Sequence, residues 1–262
     1  MTDEILDRLW AGMREKTKLL IQENERFAVI VDKEDRVYWE TSDQYDSDGG
    51  HTDTQAWNDF LNRSAIVEIT PCGHLDDSTR LDFKRLVAEA TARAIDNDFA
   101  SAEKMLVDAE KFVNNRNQEI SRFWYLSASG AVAAIVVIVG LCLWLLRQSI
   151  IPITGYIAFY AAVSAVAGAL GALLSIILRM GRSHLDCSSG KKLHYLEASS
   201  RIVAGCISGV AMFLAIKAGV VGEAVLNAPG SLSGQMLLAI MAGASERWMP
   251  SIISKFDNDT SG

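Results

Sequence analysis

The run FWYLSASGAVAAIVVIVGLCLWLL, residues 123–146, holds no ionisable group. As a helix, at about 1.5 Å per residue, it extends roughly 36 Å, against a bilayer hydrocarbon core of about 30 Å. That is too long for an ordinary core helix, and it begins too late to be a secretory leader. The chain is therefore expected to be an integral membrane protein, with a soluble region ahead of its first span.

Charge divides the chain at the same place. Residues 1–121 carry 26 acidic and 15 basic residues, a net charge of −11, and the remainder carries 6 acidic and 10 basic residues, a net of +4. Such an acidic region does not coat phosphates, so double-stranded DNA is not an expected partner; a local basic site stays open. The four cysteines, Cys72, Cys142, Cys187 and Cys206, form no CxxC pair and read as reduced thiols.

Three more apolar stretches follow, giving expected spans at 123–146, 150–178, 200–221 and 232–253. The link between the second and third is basic, with Arg179, Arg182, Lys191, Lys192 and Arg201, whereas the first link has only Arg147. Excess Lys and Arg mark the cytoplasmic side. Both termini are then expected to be cytoplasmic. Arg122, Trp124 and Tyr125 anchor one end of the first span and Trp144 the other. Small residues recur in the second span at Ala161, Ala165, Gly168, Ala169, Gly171 and Ala172, and in the third at Gly205 and Gly209. They permit close helix approach, within one bundle or between copies of the chain around an axis.

The soluble region reads as α+β, so the fold class is an α+β cytosolic domain (1–77), a helical hairpin and connector (78–121), a four-helix transmembrane bundle (122–256) and a tail (257–262). Apolar spacing predicts a helix over 4–24. Strands are expected at 27–31 and 36–40, a short helix at 56–62, and a third strand at 65–70 stopped by Pro71. From Ser78 or Thr79, as cap, Leu81, Leu86, Val87, Ala90 and Ala94 make one helical stripe. Phe99, Ala102, Leu106, Ala109 and Val113 make a second, capped by Asp98. No Pro or Gly separates that second helix from the first span, so one helix is expected from 99 to 146.

No phosphate-binding loop, dinucleotide fingerprint, zinc-protease helix or serine-nucleophile elbow is present, and no enzymatic activity or cofactor is expected. Asp46, Asp48 and Gly49 open like a calcium loop, but Trp57 occupies the closing glutamate position. His184, Cys187 and His194, with Cys72 and His74 elsewhere, are a weak zinc pattern. The notable ionisable groups lie within membrane reach. Glu246 and Arg247 interrupt the fourth span and Arg201 lies at the inner end of the third. A charge at mid-span costs about 2.5–3.5 kcal/mol, so Glu246 requires a partner or water. Two readings stay open: a structural Glu246–Arg201 pair, or part of an ion path or gate. Lys217 snorkels to the outer face. On the connecting helix Lys104, Lys111 and Arg122, 7 and 11 residues apart, share one face, with Asp108 placed to pair with Lys104. That face is either an ordinary solvated stripe or a contact for a nucleotide or oligonucleotide regulator.

The segments GALGALLSIILRM (168–180) and AGASERWMPSII (242–253) resemble the channel-forming subunit of Hailong-type anti-phage systems. The resemblance implies an oligomeric ion channel of the bacterial inner membrane gated through its cytosolic domain, a nucleotidyltransferase partner whose oligonucleotide holds it shut, and depolarisation on infection. The acidic balance of residues 1–121 departs from an oligonucleotide-binding domain. The alternative is a membrane-anchored adaptor that recruits a protein through the α+β domain; a transporter or intramembrane enzyme ranks last.

Overall fold

The computed structural model describes residue 6 and residues 9–180, 190–220 and 231–245. The chain forms two compact units, Met1–Glu119 and Ile120–Gly262, and their boundary falls inside one uninterrupted helix.

In the first unit a short helix, α1 (Ala11–Arg14), precedes a three-stranded antiparallel sheet, β1 (Thr17–Glu23), β2 (Phe27–Asp32) and β3 (Val37–Thr41), in the order β1-β2-β3. Phe27 to Val31 are each at most 1 % exposed, so β2 is the central strand. The Phe, Val and Ile side chains among them each contribute about 1.5–3 kcal/mol by leaving water. The two turns are closed by side chains: Asn24 Oδ1 accepts from the Arg26 and Phe27 amides, and Asp32 Oδ1 from those of Glu34 and Arg36.

The strand β1 corrects the helix expected over 4–24. A buried β2 needs hydrogen-bond partners along both edges, and residues 17–23 provide one of them through pairs such as Leu20↔Ile30 and Glu23↔Ala28. The third strand expected at 65–70 is also overturned. Those residues end a helix, α3 (Thr54–Glu68), which follows α2 (Asp43–Ser47). Trp57, Phe60, Ser64 and Val67 are its buried face, spaced 3, 4 and 3 apart, while Ile66 and Ile69 are exposed. A 15-residue helical period outweighs a six-residue apolar run. Asp53 caps α3 by accepting from the Ala56 amide.

The next helix, α4 (Asp77–Ile95), packs Phe83, Val87, Ala90 and Ala94 into the core against the sheet. Its cap is Asp76, which accepts from the Thr79 amide, rather than Ser78 or Thr79. Asp98 accepts from the Ser101 amide at the start of α5 (Phe99–Leu145), and Ala102, Leu106, Ala109 and Val113 are fully buried.

In the second unit α5 is followed by α6 (Arg147–Arg179), α7 (Lys191–Lys217) and α8 (Ser231–Ala244). The first three are long and apolar enough to cross a membrane; Leu232–Ala244 is a shorter apolar helix. Gly155, at φ 78°, breaks the helix α6 within the expected second span. The helix that carries the third expected span begins at Lys191, with His194, Ala198 and Ile202 on its buried face. The described helix of the fourth ends at Ala244, and Glu246 and Arg247 lie outside the described residues.

Candidate functional site

The helices α6, α7 and α8 meet backbone to backbone. A Cβ on Gly168 would lie 2.9 Å from both Cα and N of Gly209, and nearer still to the Gly205 carbonyl oxygen. One on Gly205 would lie 2.8 Å from the Gly168 oxygen, and one on Gly243 2.7 Å from the Gly168 carbonyl carbon. Gly171 faces Ile240 and Ala244 of α8 in the same way. This contact depends on close van der Waals packing, and only glycine allows it at these distances. Ala169 and Ala172 are buried with Ile176, Ala198 and Ile202 against Tyr125 and Ala133 of α5, while Ala161 and Ala165 are half-buried.

Beside this contact lies a cavity of about 80 Å³, large enough for water. Its polar lining is Ser175 of α6, Ser208 of α7, Ser245 just past α8, and Arg201; Ala172, Gly205 and Gly243 supply the rest of the wall with their neighbours. The Arg201 guanidinium is 3.5 Å from Glu197 on the preceding turn and stands 5.9 Å over the Tyr125 ring. Glu197 is an acidic partner of Arg201 among the described residues, and Glu246, of the expected pair, lies outside them. Arg201 and Gly205, both singled out in the sequence, are brought together here, with Ser245 one residue before Glu246.

The three serines were missed because a serine among Ala and Gly reads as another small packing residue. Their signal was positional: Arg201, Ala204, Gly205 and Ser208 fall at helical spacing on one face, as do Ala172, Ser175 and Ile176.

The basic stripe divides between the units. Lys104 and Lys111 are exposed, and Asp108 pairs with Lys111 at 3.9 Å instead of the expected Lys104. The i,i+3 and i,i+4 positions are both within reach on a helix, so rotamer choice decides between them. Arg122 is half-buried, and its Nε has no hydrogen-bond partner among the described residues. Lys217 is exposed at the end of α7, 6.0 Å over the Phe213 ring.

Among the described residues no group of three His, Cys, Asp or Glu is placed to hold a metal ion. His194 is buried with its ring 6.3 Å from that of Trp124, while His184 and Cys187 lie outside the described residues. Asp46 accepts from the Thr41 hydroxyl, and Trp57 stacks on His51 at 3.6 Å between ring centres.

The first unit has its own cleft, about 410 Å³, lined by Glu25, Glu40 and Asp43 with Leu9, Trp10 and Gln44. Its charge is complementary to a basic partner. A small α+β unit and a unit of glycine-packed apolar helices, with three serines and an arginine around an open pocket, define the class as far as geometry carries it. The chain matches no known protein family, no curated protein and no solved structure.

Proposed function

We propose that the chain is an oligomeric effector of the bacterial inner membrane, which passes ions along its apolar helices and is gated through its soluble unit. The observation that carries this reading is the open pocket among three apolar helices, with Ser175, Ser208, Ser245 and Arg201 in an otherwise apolar lining. Hydroxyls and a guanidinium in such a place hold water, and water lowers the penalty of moving an ion through hydrocarbon. Glu246 and Arg247, which follow Ser245 directly, are the candidate gate residues with Arg201. Arg179, Lys191, Lys192 and Arg201 favour one side of the membrane, which supports both termini being cytoplasmic.

The continuous helix α5 supports gating, since it belongs to both units. A nucleotide or oligonucleotide regulator would use Lys104, Lys111 and Arg122, and a nucleotidyltransferase would supply it. The likeness of 168–180 and 242–253 to Hailong-type channel subunits supports a role in anti-phage defence. The acidic cleft of the first unit favours a second reading, a membrane-anchored adaptor that recruits a basic protein segment.

The test is ion flux in proteoliposomes made with the purified full chain, wild type and Glu246→Ala. Flux that the substitution alters supports the channel. A monodisperse oligomer that passes no ions under any condition overturns it in favour of the adaptor.

A further inference from the structure

Where α5 ends and α6 begins, a cleft of about 370 Å³ opens at one end of the second unit. The Gly155 break shapes it: Arg147, Gln148 and Pro152 line it from the short helical piece before the break, and Tyr156, Phe159 and Tyr160 from the span after it. Trp144 completes the wall. Only glycine readily adopts φ 78° here, so the two faces depend on that residue.

The Arg147 guanidinium and the Trp144 indole N–H are donors only, the two tyrosine hydroxyls and the Gln148 amide can donate as well as accept, and no carboxylate lines the cleft. Arg147 is held in place, with its Nη1 donating to the Trp144 carbonyl at 3.1 Å and its guanidinium 5.3 Å over the Trp144 ring. Trp144 is 22 residues along α5 from Arg122, about 33 Å of helix, or one hydrocarbon thickness. The cleft therefore sits at the membrane–water interface at that end of the span, where Trp and Tyr concentrate. Ile153 and Ile157 beside it are 84 % and 65 % exposed, an apolar surface suited to acyl chains.

We propose that this cleft binds the headgroup of an anionic phospholipid. Arg147 takes the phosphodiester with a tyrosine hydroxyl, and the acyl chains run along Ile153 and Ile157. Guanidinium and phosphate match in charge and in geometry, and no carboxylate pairs with the cation of a zwitterionic headgroup, whose remaining attraction is to the aromatic faces. The proposal rests on the membrane-spanning reading and is independent of ion conduction.

The test uses the full chain in dodecyl maltoside micelles, labelled with 5-fluorotryptophan, with the Trp144 fluorine line assigned by Trp144→Phe. Phosphatidylglycerol, phosphatidylcholine and inorganic phosphate are titrated separately. The Trp144 line is expected to move saturably with phosphatidylglycerol at about tenfold lower mole fraction than with phosphatidylcholine, as one charge-assisted contact requires. Phosphate alone should leave it unmoved. Arg147→Gln should remove the preference, and Tyr160→Phe, which keeps the charge, should weaken it about threefold. Equal response to both lipids, a preference intact in both variants, or a response to inorganic phosphate would overturn the proposal. Failure of the membrane reading shows separately, as a protein that stays in solution without detergent.

Discussion

Replacing Gly168 with alanine should loosen the contact among α6, α7 and α8. The new Cβ would lie 2.9 Å from Gly209 Cα and N, where ordinary contacts begin at 3.4 Å, so α6 and α7 must part by at least 0.5 Å. The Gly205 carbonyl, closer still, demands more, and every atom concerned is backbone with no rotamer to change. Retreat toward α8 is blocked, because the Gly168 carbonyl is already the atom group facing Gly243. Overpacking of this kind costs about 1–3 kcal/mol, at the upper end where backbone meets backbone. Alanine returns about 0.5–1 kcal/mol through helix propensity. The net expectation is a loss of about 2 kcal/mol, or roughly 4–8 °C in melting midpoint for a unit of this size. Gly130, in α5, is the internal control, since nothing lies within 4 Å of its Cβ position. Gly130→Ala should stabilise by about 0.5–1 kcal/mol. Thermal unfolding in detergent, followed by size-exclusion recovery, reads both. If Gly168→Ala proves as stable as Gly130→Ala, the close-contact argument is wrong.

Lys84 is 7 % exposed, and its Nζ donates to the Glu68 carbonyl at 2.9 Å, while the Glu68 carboxylate accepts from the Val37 amide at 2.9 Å. Lys84→Met keeps the packing of the stem but leaves that carbonyl unserved, so the urea midpoint should fall by about 1–3 kcal/mol equivalent, with the slope unchanged. His51 is stacked on Trp57 and bonded through Nδ1 to the Tyr45 hydroxyl at 3.1 Å. Burial holds its pKa below the ordinary value of 6.5, against the opposing pull of Asp46. The unfolded chain then binds the proton more readily, so stability is full above pH 6.5 and is lost as pH falls through the lowered folded value. Urea midpoints between pH 7.5 and 5 (a range of about 2.5 units around the His reference value) should show that slope, and His51→Gln should flatten it. An unchanged slope in the variant would place the titration elsewhere.

Composition and periodicity carried the large divisions. Hydrocarbon thickness is a fixed length, so a run such as 123–146 announces a span wherever it occurs, and the FAVIVD segment announces a strand buried on both faces. The glycines of α6 and α7 were legible too, because close helix approach selects residues without side chains. Short apolar segments were not. Residues 17–23 and 65–70 suit either helix or strand locally; β2 needed an edge partner, which made the first a strand, and the face continued from Trp57 made the second a helix. The break at Gly155 was hidden, since glycine permits both a helical and a left-handed backbone and only the packed state chooses. The serine-lined cavity is the clearest case. Ser175, Ser208 and Ser245 lie more than 30 residues apart in the chain. Ser175 and Ser208 are unremarkable on their own helices, as is Ser245 just past α8, and the pocket they share exists only where three helices bring their small faces together.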